Sequence, residues 1–509
     1  MNDIARAGGA AATAPWARRQ PATGEPVPWG WLASITALAV ALRAVGLDGG
    51  MWYDEIRTLC DSVRWPLYRI LTVFPGNNQH TFYSVLAHLS IGAFGEHAWS
   101  LRLPSLLFGA ATVPVLYLFA REFASRAEAL LACLLLAVAY HHVWFSQVAR
   151  GYALLAFLTV LSSWLLLRGL RRRRAGDFVA YAAVAALGVY THLTMVFLAV
   201  SHALLCVTLL GLPAADREAL QRWRLPALGF VLAAALTLVL YAPLLLDVRQ
   251  FFVHDPTPVG VATPKWAAME LLRGLRLGLG TAVGAAAGGA LFFAGSWSYF
   301  RQSRFIVGLF LLPGAITVAV AVAMRRPVFP RFLFFLAGFA LLIVVRGALE
   351  IGHLVAGTKA GARFAADGAP VSKIGIALVL TLAALSAAAL SWNYRYPKQD
   401  YDGALRFVDA HRAAGDLVVT AGGASYPYET YYRRDWKELT SIEQWRGIRA
   451  AGGRVWVVYA MEKYIDLGAP GLVAVLRREC AVQSVSRGTV GGGDVTVCTA
   501  APADGAPAE

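Results

Sequence analysis

The sequence predicts a polytopic α-helical membrane protein of about eleven spans, followed by a small C-terminal α/β domain. Three observations lead there. Hydrophobic residues make up 58% of the chain and charged residues 15%, where a soluble protein carries roughly 25% charge. The mean hydropathy is +0.54, and it is concentrated in long runs almost free of charge, the pattern of membrane helices. From Trp392 onward the pattern changes to short alternating helix and strand signals.

Taken in order, residues 1–28 form a polar, Pro/Ala-rich tail expected on the cytoplasmic side. The apolar run after it is too long for the core of a cleaved signal. The expected spans are 29–47, 101–120, 128–145, 152–169, 177–191, 193–211, 225–246, 274–297, 305–324, 329–347 and 374–391. With the N-terminus inside, one face collects Arg18, Arg19, Arg121, Arg126, Arg168, Arg171 to Arg174, Arg217, Arg222, Arg224, Arg301, Arg304, Lys359, Arg363 and Lys373. This asymmetry orients the chain in a cytoplasmic (inner) membrane. Arg325, Arg326 and Arg331 fall on the outer face and break the rule, which marks a place to look for function.

Three longer segments fall outside: residues 48–100, residues 247–273, and everything after Trp392. The first mixes Trp, Tyr and Phe with polar residues and suits interfacial helices. In the last, Tyr401–Ala414 has helical spacing, Leu417–Thr420 reads as a short buried strand, Ile442–Ala451 as a helix and Val455–Tyr459 as a second strand. Gly491 to Asp494 reads as a hairpin turn rather than a phosphate-binding loop. The extracytoplasmic α/β domain is therefore drawn as 392–509, after a transmembrane region of 29–391.

The net charge of +15 does not indicate nucleic acid. The basic residues sit in short inter-helical clusters instead of along one soluble face. Cys133 and Cys206 lie in apolar spans as small core residues. Cys480 and Cys498 lie in the C-terminal part and are free to oxidise in an extracytoplasmic setting. Trp52, Trp65, Trp99 and Trp144 suit an interfacial belt. No His/Cys/Asp/Glu spacing forms a metal motif.

The chemistry centres on Asp54 and Glu55, where the chain emerges from the first apolar run. Neighbours on a helix do not face each other, so the pair does not flank one bond as in a glycosidase. One carboxylate is suited to take a proton from a hydroxyl or amine, a role worth ~10²–10⁴ in rate. The plainer alternative is that Asp54 caps an interfacial helix.

The stretch Arg43 to Glu55, "RAVGLDGGMWYDE", resembles the start of the GT-C membrane glycosyltransferases of the protein mannosyltransferase and lipid A aminoarabinose transferase type. Further similarities follow in order: Phe94-Gly95-Glu96, Leu101 to Gly109, Ala149-Arg150-Gly151-Tyr152-Ala153-Leu154 (Ala-Arg-Pro-Tyr-Ala-Leu in the family), Tyr190-Thr191-His192 and Pro330-Arg331-Phe332. The likeness is good over about residues 40–200. Where many members read Lys/His-Pro-Pro-Leu-Tyr, this chain has Gln79-His80-Thr81-Phe82-Tyr83.

The resemblance implies a GT-C-like fold and an inverting transfer from a polyprenyl-phosphate-linked sugar to an envelope lipid, glycan or protein. No nucleotide cofactor is implied. Asp54 is then the base, and Glu55 orients it or the acceptor. Arg43, Arg102, Arg150 and Arg331 all lie at outer ends of expected spans, where a guanidinium must pair or snorkel. A phosphate at that depth is a fitting partner, and headgroup anchoring is the alternative for each. Tyr152, His80, His192 and Lys265 complete the candidate substrate-binding set. A lone histidine near an interface is more often a hydrogen-bonded structural residue than a base or ligand, and Lys265 is equally readable as solvated. A lipid or polysaccharide transporter, or a non-catalytic protein of the same fold, is the competing reading. The first would show mid-span charges and duplicated halves, neither of which is visible.

Overall fold

The computed structural model describes residues 26–76, 78–211, 217–254, 263–279, 281–326, 329–357 and 372–501. The N-terminal tail, Lys359 and Arg363 lie outside them. Six described helices are long and apolar enough to cross a bilayer: Ala98–Ala120, Tyr152–Arg172, Gln221–His254, Arg304–Ala323, Pro330–Ala356 and Lys373–Arg395. Each answers to one expected span. The expected eleven become six, or eight if two bent helix pairs each count as one span.

The difference has physical causes. Trp29–Ala44, Ala175–Thr191 and Met195–Leu210 have 16, 17 and 16 residues, about 24–26 Å at ~1.5 Å per residue, short of the ~30 Å hydrocarbon core. The expected span 128–145 breaks at Ala139, whose φ of −62° and ψ of 118° are extended. Arg126–Val138 and Tyr140–Ser146 therefore meet at 58°. The amide of Tyr140, freed by the break, donates to Ser386 Oγ at 2.9 Å and so regains a partner. The expected span 274–297 is likewise interrupted, the helices on either side diverging by 106°. Thr81–Phe94, read from sequence as part of an outer loop, is an apolar helix.

One large apolar core joins these helices, from Leu32 and Val113 to Phe310, Phe339 and Val379. Phe293, Val239 and Leu238 are exposed on the helix surfaces, as on the lipid-facing side of a membrane bundle. The closest crossing is between Ala282–Gln302 and Ala337–Ala356. There a Cβ at Gly295 would lie 1.8 Å from the Ile343 carbonyl oxygen, and one at Gly347 1.8 Å from that of Leu291. Only glycine lets the two backbones touch, which is how membrane helices gain packing without a hydrophobic drive.

The C-terminal part holds a five-stranded sheet of strands β1 (Leu417–Gly422), β2 (Lys437–Glu438), β3 (Val455–Ala460), β4 (Ala481–Ser486) and β5 (Val495–Ala500). Their order is β2-β1-β3-β5-β4. The first three are parallel, and β5 pairs antiparallel with both β3 and β4. β1 and β3 are buried along nearly their whole length, as expected of a parallel pair. Cys480, just before β4, is disulfide-bonded to Cys498 in β5.

Candidate active site

Two arginines fold the first loop rather than facing a ligand. Glu55, fully buried, sits in the first turn of helix Tyr53–Thr58. Arg102 donates to both its oxygens, Nε to Oε1 at 2.7 Å and Nη2 to Oε2 at 2.6 Å. The remaining Arg102 donors reach the carbonyls of Leu47, Gly49 and Gly50 at 2.8–2.9 Å. Glu55 also accepts the amides of Ala149 at 2.6 Å and Trp52 at 3.3 Å. Every oxygen and nitrogen of the pair is engaged within the protein. Arg102 therefore shapes the loop backbone instead of binding a phosphate, and Glu55 orients Asp54 only through the helix they share.

Arg43 is corrected in the same way. It is fully buried and donates to Ser146 Oγ and to the carbonyls of Ala39, Ala137 and Leu136 at 2.9–3.3 Å, with His142 Nδ1 at 2.7 Å. The bend at Ala139 supplies the carbonyls of Leu136 and Ala137, because it interrupts the helix that would have used them; Ala39 lies one turn before Arg43 in its own helix. Lys265 is exposed and has no bond to the residues below. Trp52 is buried, its ring 6.0 Å from that of Trp144, an interior contact rather than a belt position.

The other candidates converge. The Asp54 carboxylate lies 3.8 Å from Nη1 of Arg331, although 277 positions apart in sequence (331 − 54). The main-chain carbonyl of Asp54 accepts from Thr58 Oγ1 at 2.8 Å and Asn78 Nδ2 at 3.2 Å. Arg150 donates to the Asn78 carbonyl and its guanidinium lies 5.5 Å from the Tyr152 ring centre. The His80 ring meets those of Tyr152 and His192 edge-on, both at 5.0 Å. His192 lies 5.6 Å from Phe332, and Arg331 covers Phe329 at 4.4 Å. The circuit thus returns to Arg331 and Asp54.

This circuit has unused hydrogen-bonding capacity. Asp54 Oδ2, His80 Nε2, Arg150 Nε and Arg331 Nε are buried and lack a hydrogen-bond partner among the described residues. Folded proteins leave few such atoms, and four of them belong to residues of this one circuit. Burial, then the nearby charges of Arg150 and Arg331, push the His80 imidazole well below its ordinary range. Burial and the same two arginines bring His192 down to about 3. Both rings are neutral at physiological pH.

Several contributors were not found by sequence reasoning. Gln399 Oε1 accepts the Tyr53 amide at 3.0 Å, 346 residues away. Tyr426 donates to Asp61, which is also paired with Arg57 at 2.7 Å. Lys398 is buried, donates to Asn393 Oδ1 at 2.7 Å and lies 5.2 Å from the Trp144 ring centre. Burial, with Arg102 adding to it, lowers its ammonium to about 7. Thr58 and Asn78 carry no motif; only the folded loop brings them to Asp54.

The profile of the dolichyl-phosphate-mannose-protein mannosyltransferase family matches residues 81–245. No curated protein matches the chain in sequence. Among solved structures, the Archaeoglobus fulgidus oligosaccharyltransferase AglB, in complex with an inhibitory peptide and a dolichol-phosphate, superposes at a TM-score of 0.50 with 12% identity, over 94% of this chain and 75% of that one. The same archaeal enzyme with Zn and sulfate gives 0.51 and 12%, over 91% and 72%. ArnT from Cupriavidus metallidurans, bound to undecaprenyl phosphate, gives 0.49 and 15%, over 93% and 98%. The chain is a multi-pass membrane protein with the fold of the GT-C membrane glycosyltransferases, and its residues 81–245 carry the mannosyltransferase family signature.

Proposed function

We propose that the chain transfers a sugar from a polyprenyl-phosphate-linked donor to a hydroxyl or amine of an envelope acceptor, with inversion in a single displacement. The observation that carries this reading is the approach of Asp54 to Arg331 at 3.8 Å, inside a circuit of buried, unpaired polar atoms. Asp54 takes the acceptor proton while the acceptor atom bonds to the anomeric carbon. The bond from that carbon to the phosphate oxygen breaks, and its electron pair leaves on polyprenyl phosphate. Arg331 and Arg150 meet the charge that develops on this oxygen; a guanidinium offers donors in a geometry matched to phosphate. Glu55, with all its acceptor sites engaged, holds the helix from which Asp54 projects.

The fold supports the donor class, since the structurally similar archaeal oligosaccharyltransferase is seen with a dolichol-phosphate. The Cys480–Cys498 disulfide favours an oxidising compartment for the sheet, and therefore an extracytoplasmic site. The test is incubation of purified protein in detergent with a panel of polyprenyl-phosphate sugars, following release of polyprenyl phosphate. Release by the wild-type chain and none by Asp54→Asn is expected. Full turnover by Asp54→Asn would dismiss the base.

A further inference from the structure

The backbone fixes which nitrogen of His80 carries its proton. The Gly151 amide donates to His80 Nδ1 at 2.9 Å. A ring nitrogen that accepts an N–H has no proton of its own, so in the neutral ring the proton is on Nε2. The ring is neutral because burial and the neighbouring cations disfavour its charged form. His192 is set the same way, its Nδ1 taking the Thr194 amide at 3.2 Å. His80 is only 3% exposed, and its Nε2 is buried with no partner among the described residues. A buried donor in that state is unfavourable unless something else accepts from it.

Glycine makes this arrangement possible. A Cβ at position 151 would lie 2.5 Å from His80 Nδ1, 2.8 Å from Thr191 Cγ2 and 3.0 Å from His80 Cβ. A proline there would also have no N–H to donate. Of the three positions where the resembling family motifs have proline and this chain does not (80, 81 and 151), His80 and Gly151 touch. A directional donor is thereby placed within electrostatic reach of the Arg150 and Arg331 guanidinium groups without adding a third positive charge.

We propose that His80 is a ligand-binding residue: its Nε2–H, fixed by the Gly151 amide, donates to an oxygen of a phosphate held by Arg150 and Arg331. The inference rests on the reading of this site as one for a phosphate-linked donor. The chemistry recognised is a phosphate, either as the ester of an isoprenoid lipid or free, and the test separates these.

Binding of farnesyl phosphate and, separately, of inorganic phosphate is measured on the purified full chain in detergent, alongside His80→Asn and His80→Gln. The Asn carbonyl stands in for Nδ1 and keeps the Gly151 bond but offers nothing at Nε2; the Gln amide places an N–H near Nε2. His80→Asn should weaken farnesyl phosphate binding by about tenfold to a hundredfold, the value of one hydrogen bond to a charged group. His80→Gln should stay within about threefold on the same scale. Unchanged binding by His80→Asn, or equal loss in both variants, overturns the proposal while leaving the lipid-linked reading intact. His80-dependent binding of inorganic phosphate without binding of farnesyl phosphate keeps the proposal and removes the lipid-linked reading. Failure of the wild-type chain to bind either removes both. Nitrogen-15 spectra of histidine-labelled protein give a readout that does not depend on affinity: protonated Nε2 and bare Nδ1 at His80 are expected, and the reverse tautomer overturns the proposal.

Discussion

Glu55 meets Arg102 through two hydrogen bonds of 2.7 and 2.6 Å, whereas Asp54, one residue earlier, lies 3.8 Å from Arg331 with Oδ2 unpaired among the described residues. Both regions set a carboxylate against a guanidinium, and both draw the arginine from far along the chain. The first closes completely on itself and folds the loop from Leu47 to Gly50. The second is left open, with donors and an acceptor unpaired among the described residues. A saturated pair suits structure, because any ligand would have to break it. An unsaturated pair suits binding, because a ligand completes it.

The largest effect should come from removing the proton acceptor in the open region. Asp54→Asn is expected to lower turnover about 10²–10⁴-fold, the usual worth of a positioned base. Its thermal unfolding in detergent should stay close to wild type, since no hydrogen bond to Oδ2 is lost. In the closed region the pattern reverses. Glu55→Gln or Arg102→Ala leaves a buried charge without its partner, a cost of about 3–5 kcal/mol in stability. Low yield and a lower unfolding temperature are expected, with activity lost in proportion to folded protein. If Glu55→Gln were fully stable but inactive, the roles of the two carboxylates would have to be exchanged.

The sequence could not have divided these roles. Adjacent residues on a helix point about 100° apart, and which one faces inward depends on where Arg102 and the Ala149 amide come to lie. Asp54 and Arg331 were legible for different reasons: one from the acidic motif at the end of the first apolar run, the other from a positive charge on the face that should lack it. Arg43 and Arg102 carried the same signal of a guanidinium near the end of an expected span. Their partners are main-chain carbonyls exposed by a helix break and a tight turn, which composition does not reveal. The strands β1 and β3 were readable because a buried parallel strand needs a near-continuous apolar run, rich here in valine. Lys398 and Gln399 were not, because Trp144 and Tyr53, against which they come to lie, are hundreds of residues upstream.

Lys398 offers a test that uses pH. Its folded pKa is near 7, mainly through burial, against ~10.4 for a free lysine. Between these values the unfolded chain binds a proton that the folded chain does not, so stability should rise with pH over that window. Below pH ~7 the ammonium is charged in both states and its burial penalty is felt in full. The slope for one group is at most about 1.4 kcal/mol per pH unit. Lys398→Met should remove that part of the slope between pH ~7 and ~10. Parallel unfolding profiles for wild type and variant would show that this lysine does not titrate as argued. Because Lys398 lies beside Arg102 and Glu55, its titration loads the closed region and should leave the Asp54 pH–rate profile unmoved.

The smallest effect concerns how far the C-terminal residues hold the open region in place. Tyr426 donates to Asp61 just beyond the Asp54 helix, and its ring lies 6.1 Å from that of Tyr53. Tyr426→Phe keeps the ring contact and removes one hydrogen bond. Asp61 retains Arg57 at 2.7 Å and is partly solvated, its side chain 25% exposed, so water replaces much of what is lost. A destabilisation of about 0.5–1.5 kcal/mol is expected, with turnover reduced less than about threefold on the scale of RT. The informative deviation is a larger loss of turnover at unchanged stability. That result would mean the phenol sets the position of the Asp54 helix during the reaction, and that the open region depends on the C-terminal residues as the closed one depends on Arg102.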